Sequence, residues 1–446
     1  MPGALFSIGR SGLAASRVSL ELTSQNIANA ANADYSRRSI TQSEVAASAT
    51  FGLNTSDVPG GVRLSGIARA QSALVQRQAR DSASALASAS AELRGLSAAE
   101  TALERTALFD ALVGFEAALT RLESDPTSVP LRTGAIESAR QLAGTFNTAN
   151  ETLANARRLT IGEAEADVIT INTLTDDLAR INRELVSARD GSAGKAALLD
   201  SRDAALAKLA DQLGITTSFA ANGTVQVSAN GTPPAGLVDG GVNAALSLAV
   251  GPDGTLAFAI DGAAFVPASG AMAGRAAALQ AKADVQGQLD MLARDLAARV
   301  NAAQAAGSDL AGNPGQPIFS ATGAGDITVV MGSAAGLATA PAGAPAGSRD
   351  AGNLAALLAG FAAETGPVAG TNTLLLQLSS RVAGLELRRD GLSIVAASAQ
   401  GELRREIGVD LDSEAANLVR LQQAFEANSR VIQIAADLFD TILGLR

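Results

Sequence analysis

The stretch TSQNIANAANADYSRRSI, residues 23–40, decides how the chain begins. An apolar, periodic segment leads into it, yet it sets Gln25, Asn26, Asn29 and Asn32 within eight positions. A row of amides where a helix ordinarily buries leucines has three readings. It is a catalytic or ligand site, an ordinary helix end, or a polar face meant for another copy or a partner. Asn competes with the helix for backbone hydrogen bonds and so gathers at helix ends, but a helix end accounts only for the last of these amides.

Outward from this stretch the dominant period is seven. Phe6, Leu13, Leu20 and Ile27 recur every seventh residue, flanked by Gly9, Ser16 and Thr23. Near the other end Leu418, Leu421, Phe425, Asn428, Ile432, Ala435, Phe439 and Ile442 keep an alternating spacing of three and four. That is a heptad seam with one amide inside it, a device that fixes register at some cost in stability. The same spacing also fits an amphipathic helix packed on its own domain. Spacing leaves the two readings open.

Between the ends, residues 66–118 and 131–212 read as helices with few breakers, separated by the two prolines of ESDPTSVPLRTG at 123–134. The pattern changes after Gly214. Alternating β-prone residues surround two Asn-Gly pairs (222–223 and 230–231), and a Pro-Asp-Gly turn follows at 252–254, which predicts hairpins. Helix resumes near residue 273, a loop with a possible strand at ITVV (327–330) intervenes, and helices return from residue 350 or so. The expected fold is mainly α with an inserted β-rich domain (α+β): long helices, discontinuous domains, and N- and C-terminal segments paired as a coiled-coil-like bundle. The division implied is 1–47 with 405–446 for the terminal helices, 48–213 with 273–404 for a helical body, and 214–272 for the insert.

Composition narrows the chemistry. Aromatics make up only 3% of the chain, which suits closely packed long helices better than a single large globule. The net charge is −10, with three lysines and no basic stripe, so nucleic acid is not an expected partner. Cysteine and histidine are both absent, which removes thiol nucleophiles, His-based acid–base pairs and the usual zinc ligands. No run approaches the ~18 apolar residues of a membrane span, and the N-terminus lacks the features of a cleaved secretory signal. GSAGKA (191–196) resembles a phosphate loop, but Arg189 replaces its first glycine and Ala196 its hydroxyl. Asp176 with Asp177, or Asp410, Asp412 and Glu414, are the available carboxylate groupings. Asp412 reads better as a helix N-cap with Glu414 near the positive helix end, and Asp200 and Asp203 lie on the polar face of their helix. No catalytic residue, cofactor or metal site is expected.

The ends carry a resemblance. SGLAASRVSLELTSQNIANAANADYSRRSI resembles the N-terminal signature of the bacterial flagellar rod, hook and hook-associated axial proteins. GVDLDSEAANLVRLQQAFEANSRVIQIAADLFDTILGLR is similar to the matching C-terminal helix, through its acidic start, Asn417, the segment Gln422–Phe425, Ala427-Asn428, Arg430-Val431 and Asp437 before Phe439. Tyr35-Ser36-Arg37, the ending LFDTIL, and similarity continuing through GGVRLSGIARAQSALVQRQAR, ALLDSRDAALAKLADQLGI and ARVNAAQAAGSDLAGNPGQPIF point within the family to the hook–filament junction. The alternatives are another axial member (hook protein or third hook-associated protein), a carboxylate-based envelope hydrolase, or a stand-alone helical adhesin. One departure stands out: the family's Thr-Pro-Gly before the tyrosine is Asn32-Ala33-Asp34 here, so the helix is expected to run on or bend differently after Asn29.

The resemblance implies a structural subunit that assembles with its own copies in a ring at the tip of the hook. Its neighbours would be the hook protein and the third hook-associated protein. It implies export without a cleaved signal through the flagellar type III apparatus, an export chaperone on the C-terminal helix, an extracellular place in the flagellum, and ends that order on assembly. The residues implied in assembly are Phe6, Leu13, Leu20, Asn26, Ile27, Asn29, Tyr35, Asn417, Leu418, Leu421, Phe425, Asn428, Ile432, Phe439 and Ile442. Asn26 and Asn29 are expected to set register against a neighbour, and Tyr35 to anchor the terminal arm.

Overall fold

A computed structural model describes residues 2–45 and 60–444; the side chains of residues 2–4, Ile442 and Leu443 fall outside that description, as does the domain boundary expected at 47/48. In chain order the main elements are α1 (Pro2–Ala28), β1 (Arg38–Val45), β2 (Gly61–Arg69), α2 (Ala73–Glu104), α3 (Leu108–Ser124), α4 (Val129–Ser187) and α5 (Ala193–Gln212). They continue as β3 (Ile215–Phe219), β4 (Val225–Ala229), further short strands, α6 (Gly270–Ala305), α7 (Gly352–Ala362), α8 (Pro367–Ile407) and α9 (Leu411–Gly444). The chain is therefore mainly helical with small antiparallel sheets. It divides into two units, one drawn from residues 1–85, 170–245 and 393–446, the other from 86–169 and 246–392.

In the first unit the two chain ends pack side by side and antiparallel: Gly9 of α1 faces Ile432 of α9, and Gly12 faces Asn428. An antiparallel ribbon, β1 with β2, lies along α1, pairing Arg38 with Arg69 at one end and Val45 with Gly61 at the other. Val62 N–H donates to Ser11 Oγ at 3.2 Å. The ribbon corrects the helix expected from residue 66. RSITQSEV and GVRLSGIAR alternate only weakly, and neither strand has a fully buried face, so neither shows the apolar alternation that marks a half-buried strand. A two-stranded ribbon is marginal alone; this one is held at its ends.

The Gly-rich break before α5 is a seat for β2. Gly191 adopts φ +70° and its carbonyl accepts Ile67 N–H at 2.8 Å, while a Cβ on Gly66 would stand 2.8 Å from Gly191 Cα. Close approach of two backbones, not phosphate binding, explains the glycine here. Beyond α5, β3 and β4 form the hairpin expected around Asn222-Gly223, with Gly223 at φ +93° and Asn222 Oδ1 accepting Thr224 N–H. At the start of α9 the N-cap is Asp410, whose Oδ1 accepts Ser413 N–H at 2.9 Å, rather than Asp412, which lies exposed one residue inside the helix. The cap thus falls two residues earlier than the acidic pattern suggests.

The second unit owns the large apolar core. Phe115 meets Phe319 and Phe361 edge-on, with ring centroids 5.8 and 5.9 Å apart, among buried leucines of α2, α3, α6 and α7. Edge-to-face contact is the favoured geometry for aromatic pairs. Pro130 sits in the first turn of α4, where its missing N–H costs nothing, so the proline-rich break falls as expected. Strands Leu246–Val250, Leu256–Ile260 and Ala263–Pro267 form a meander turning at Pro252-Asp253-Gly254. Thr328–Val329 pairs with Phe319–Ser320, within the strand expected at 327–330. The β-rich stretch 214–272 is thus apportioned between the two units at 245/246.

Candidate functional site

The packed face of α1 is its small-residue stripe. Gly9, Ala15, Ser16, Leu22, Thr23 and Asn26 are buried, whereas Leu13, Leu20 and Ile27 are half-buried and Phe6 is 47% exposed. On α9, Asn417, Leu418, Leu421, Phe425, Asn428 and Ile432 are half-buried, Ala435 is buried and Phe439 is 55% exposed. Ile442 lies outside the described side chains. The large residues of the heptads therefore flank the contact, and glycine and serine line it. Small residues let two helix axes approach closely, at the cost of leaving apolar side chains uncovered on either side.

The amides divide by role. Asn26 is 1% exposed and holds the chain's exit from α1: Oδ1 accepts from Tyr35 Oη (2.8 Å) and Arg38 N–H (3.1 Å), and Nδ2 donates to Arg38 O (2.9 Å). These three hydrogen bonds are made within its own chain and latch the exit of α1. Asn29 donates to Gln25 O one turn back, and Asn32 Oδ1 accepts Asp34 N–H in a turn that stands in for the missing Pro-Gly. The helix accordingly stops at Ala28 instead of running on. Tyr35 is buried; burial pushes its phenol above the ordinary value, against the opposing pull of the Arg38 guanidinium 4.8 Å from its ring centre.

Past Tyr35 two consecutive arginines reach different elements. Arg37 Nε donates to Glu414 Oε1 at 2.7 Å, and the Glu414 side chain is 1% exposed. Arg37 also takes Ile407 O through its N–H, so it ties the exit of α1 to the end of α8 and the start of α9. Arg38 Nη2 instead donates to Asp200 Oδ2 on α5 at 2.6 Å. Arg69, opposite Arg38 in the ribbon, donates to Asp200 Oδ1 (2.6 Å) and Asp203 Oδ2 (2.8 Å). Asp203 further accepts from Gln76 Nε2 and Arg202. Burial pushes the Asp203 carboxyl up, but Arg202 and Arg69 together outweigh it and hold it below the usual range.

The sequence shows Asp200 and Asp203 only as polar residues of one helix face, not as the centre of this cluster. That shared face is its only legible sign; Arg38 and Arg69, which the two carboxylates hold, lie more than a hundred residues away. Among the described residues no group of three acidic, His or Cys side chains is placed to hold a metal ion, and no helix is long and apolar enough to cross a membrane. Asp177 pairs with Arg180 on the surface of α4, Lys195 with Asp190. What the site can do is hold two helices and a ribbon in fixed relation while presenting uncovered apolar side chains.

Comparison with known proteins converges on one group. The family model described as flagellar hook-associated protein FlgK helical domain matches residues 96–319, half of the chain. That of the C-terminal region of flagellar basal body rod FlgEFG proteins matches residues 400–445, which contain α9. Flagellar hook-associated protein 1 of Bacillus subtilis (strain 168) is 22% identical, over 98% of this chain and 96% of its own length. The solved flagellar hook junction protein FlgK from Burkholderia pseudomallei aligns with 22% identity and a TM-score of 0.49, over 55% of this chain and 46% of that one.

Proposed function

The chain belongs to the flagellar hook-associated protein 1 (FlgK) family, and from that premise we propose that its paired ends are the element through which copies join. It is a structural protein of the flagellum, not an enzyme, and forms the hook–filament junction with other axial components. The observation that carries the assembly reading is the apolar surface beside the α1/α9 contact. Phe6, Ile8, Val419, Ile434 and Phe439 are all exposed. A monomer rarely leaves so much apolar surface uncovered on one element pair without a partner for it.

In this reading Leu13, Leu20, Ile27, Leu418, Leu421, Phe425 and Ile432 complete the surface, and a ring of copies buries it by head-to-tail contacts. Residues 1–47 and 405–446 form the inner tube, 48–213 and 273–404 the body, and 214–272 the outward part. The neighbours are the hook protein on one side and the third hook-associated protein on the other. The subunit leaves the cell through the flagellar type III export apparatus without a cleaved signal, with a chaperone on α9 until it is passed on. Deleting residues 411–446 tests the reading. Cells should keep hooks but lose filaments and release filament subunits to the medium; normal filaments would sink it.

A further inference from the structure

We propose that Asp200 and Asp203 on α5 are positioning residues for assembly, fixing the direction in which the α1/α9 pair leaves the rest of its unit. The proposal rests on the reading of the paired ends as the assembly element. Arg38 and Arg69 are direct cross-strand partners at the open end of the β1–β2 ribbon. Two like charges facing each other across strands repel, so the ribbon closes there only if something takes up both. Asp200 does so with one oxygen for each strand, at 2.6 Å in both cases. Asp203 takes the second Arg69 amino group and Gln76 at the start of α2. The four side chains are between 5 and 13% exposed, and Arg38 Nε and Arg69 Nη1 are buried without a partner, so the cluster has no spare acceptor. Removing one partner of such a pair leaves a buried charge uncompensated.

The geometry then passes the constraint outward. Arg38 is bound on one side to α5 and, through its backbone, to Asn26 of α1. Its neighbour Arg37, just ahead of β1, holds Glu414 of α9. Fixing residues 37 and 38 therefore fixes the bases of both terminal helices at once. A shift of α5 or a loss of its carboxylates would free that base while leaving the α1/α9 contact itself untouched.

Amide exchange on the full-length monomer reads this directly. In the D200N/D203N variant, exchange across residues 22–40 and 61–70 should quicken about ten-fold or more, as local opening becomes easier, with residues 96–160 of the second unit unchanged. Assembly onto hooks should fall in parallel. A variant that neutralises both sides, R38Q/R69Q/R202Q/D200N/D203N, should recover much of the protection, because the arginines that face the two carboxylates are neutralised with them. Wild-type exchange in D200N/D203N overturns the proposal. So does loosened exchange with normal filament formation, which would make the cluster merely structural. Exchange is read before any assembly, so a failure of the assembly reading itself shows separately, as an α9 deletion without effect on filaments.

Discussion

Gly12 of α1 lies directly beneath the Asn428 carboxamide of α9: a Cβ placed on Gly12 would stand 2.5 Å from Asn428 Oδ1. Asn428 Nδ2 also reaches Ser16 Oγ at 3.4 Å and its own Ala424 O at 2.9 Å. The amide expected to fix register inside the C-terminal seam therefore meets a glycine and a serine on the other end of the same chain. Gly12→Ala should gain helix propensity of about 1 kcal/mol and lose a similar amount by displacing the amide, for little net change. Combined with Asn428→Ala, the gain should emerge unopposed. A double-mutant cycle by denaturant melts should then show a coupling of about 1 kcal/mol. Zero coupling would mean the helices do not pack in this register in solution.

Asn26 and Asn29 should behave differently on substitution, although the sequence presents them as equals. Asn29→Leu removes one bond to its own helix and should change stability by about 0.5 kcal/mol or less. Asn26→Leu strands the Tyr35 hydroxyl and both backbone groups of Arg38, and should cost about 2–4 kcal/mol. The exit loop should open, and Tyr35 fluorescence should shift accordingly, since it is the chain's single tyrosine and no tryptophan competes. Equal effects from the two leucine variants would refute the latch.

Much of this was visible in the residues alone, and the rest was hidden for a physical reason. The helices and the Asn222-Gly223 and Pro252-Asp253-Gly254 turns follow from local periodicity and turn chemistry, which act over a few residues, whereas the heptads alone left the pairing of the ends open. The β1–β2 ribbon does not, because its stability comes from Asp200, 162 positions after Arg38 in the chain. The heptads were legible, but not which of their faces would pack: the sevenfold spacing of Phe6, Leu13, Leu20 and Ile27 does not say whether they or the small residues Gly9, Gly12 and Ser16 beside them meet the partner helix. Large residues signal burial only when something covers them. Asn26 was legible as unusual but not as a latch, since its partners Tyr35 and Arg38 become neighbours only once the chain turns back at Asn32.

The cluster on α5 should leave an acid signature. Asp203 is held below its ordinary value of 3.8, so its contribution is fully present above that pH and is lost as pH falls through the lower folded value. Urea melts of the wild type should show stability dropping over this acid range. In Asp203→Asn the corresponding part of the drop should be missing, and the two proteins should converge at the acid end. Parallel curves that keep a constant gap down to pH 2 or so would show that Asp203 is not paired as described.

Lys282 of α6 predicts a second rise of stability with pH, in the alkaline range. Its side chain is fully buried, and Nζ donates to Ala156 O (2.9 Å) and Thr160 Oγ1 (2.6 Å) with no carboxylate in contact. Burial lowers its pKa from 10.5 to about 8. Below pH 8 both the folded and unfolded chains carry the proton, and folding bears the full cost of burying the charge. Between about 8 and 10.5 the folded chain releases it first, the unfolded chain binds more protons, and stability rises with pH, by up to roughly 3 kcal/mol. The background is clean up to about pH 10, where Tyr35 begins to contribute with the opposite sign, because the chain has no histidine or cysteine and only two other lysines. Lys282→Met should abolish the rise and be neutral or stabilising at pH 7, since Thr160 Oγ1 still donates to Ala156 O at 3.2 Å. A variant that is much less stable at pH 7 yet keeps the alkaline rise would assign that rise to another group.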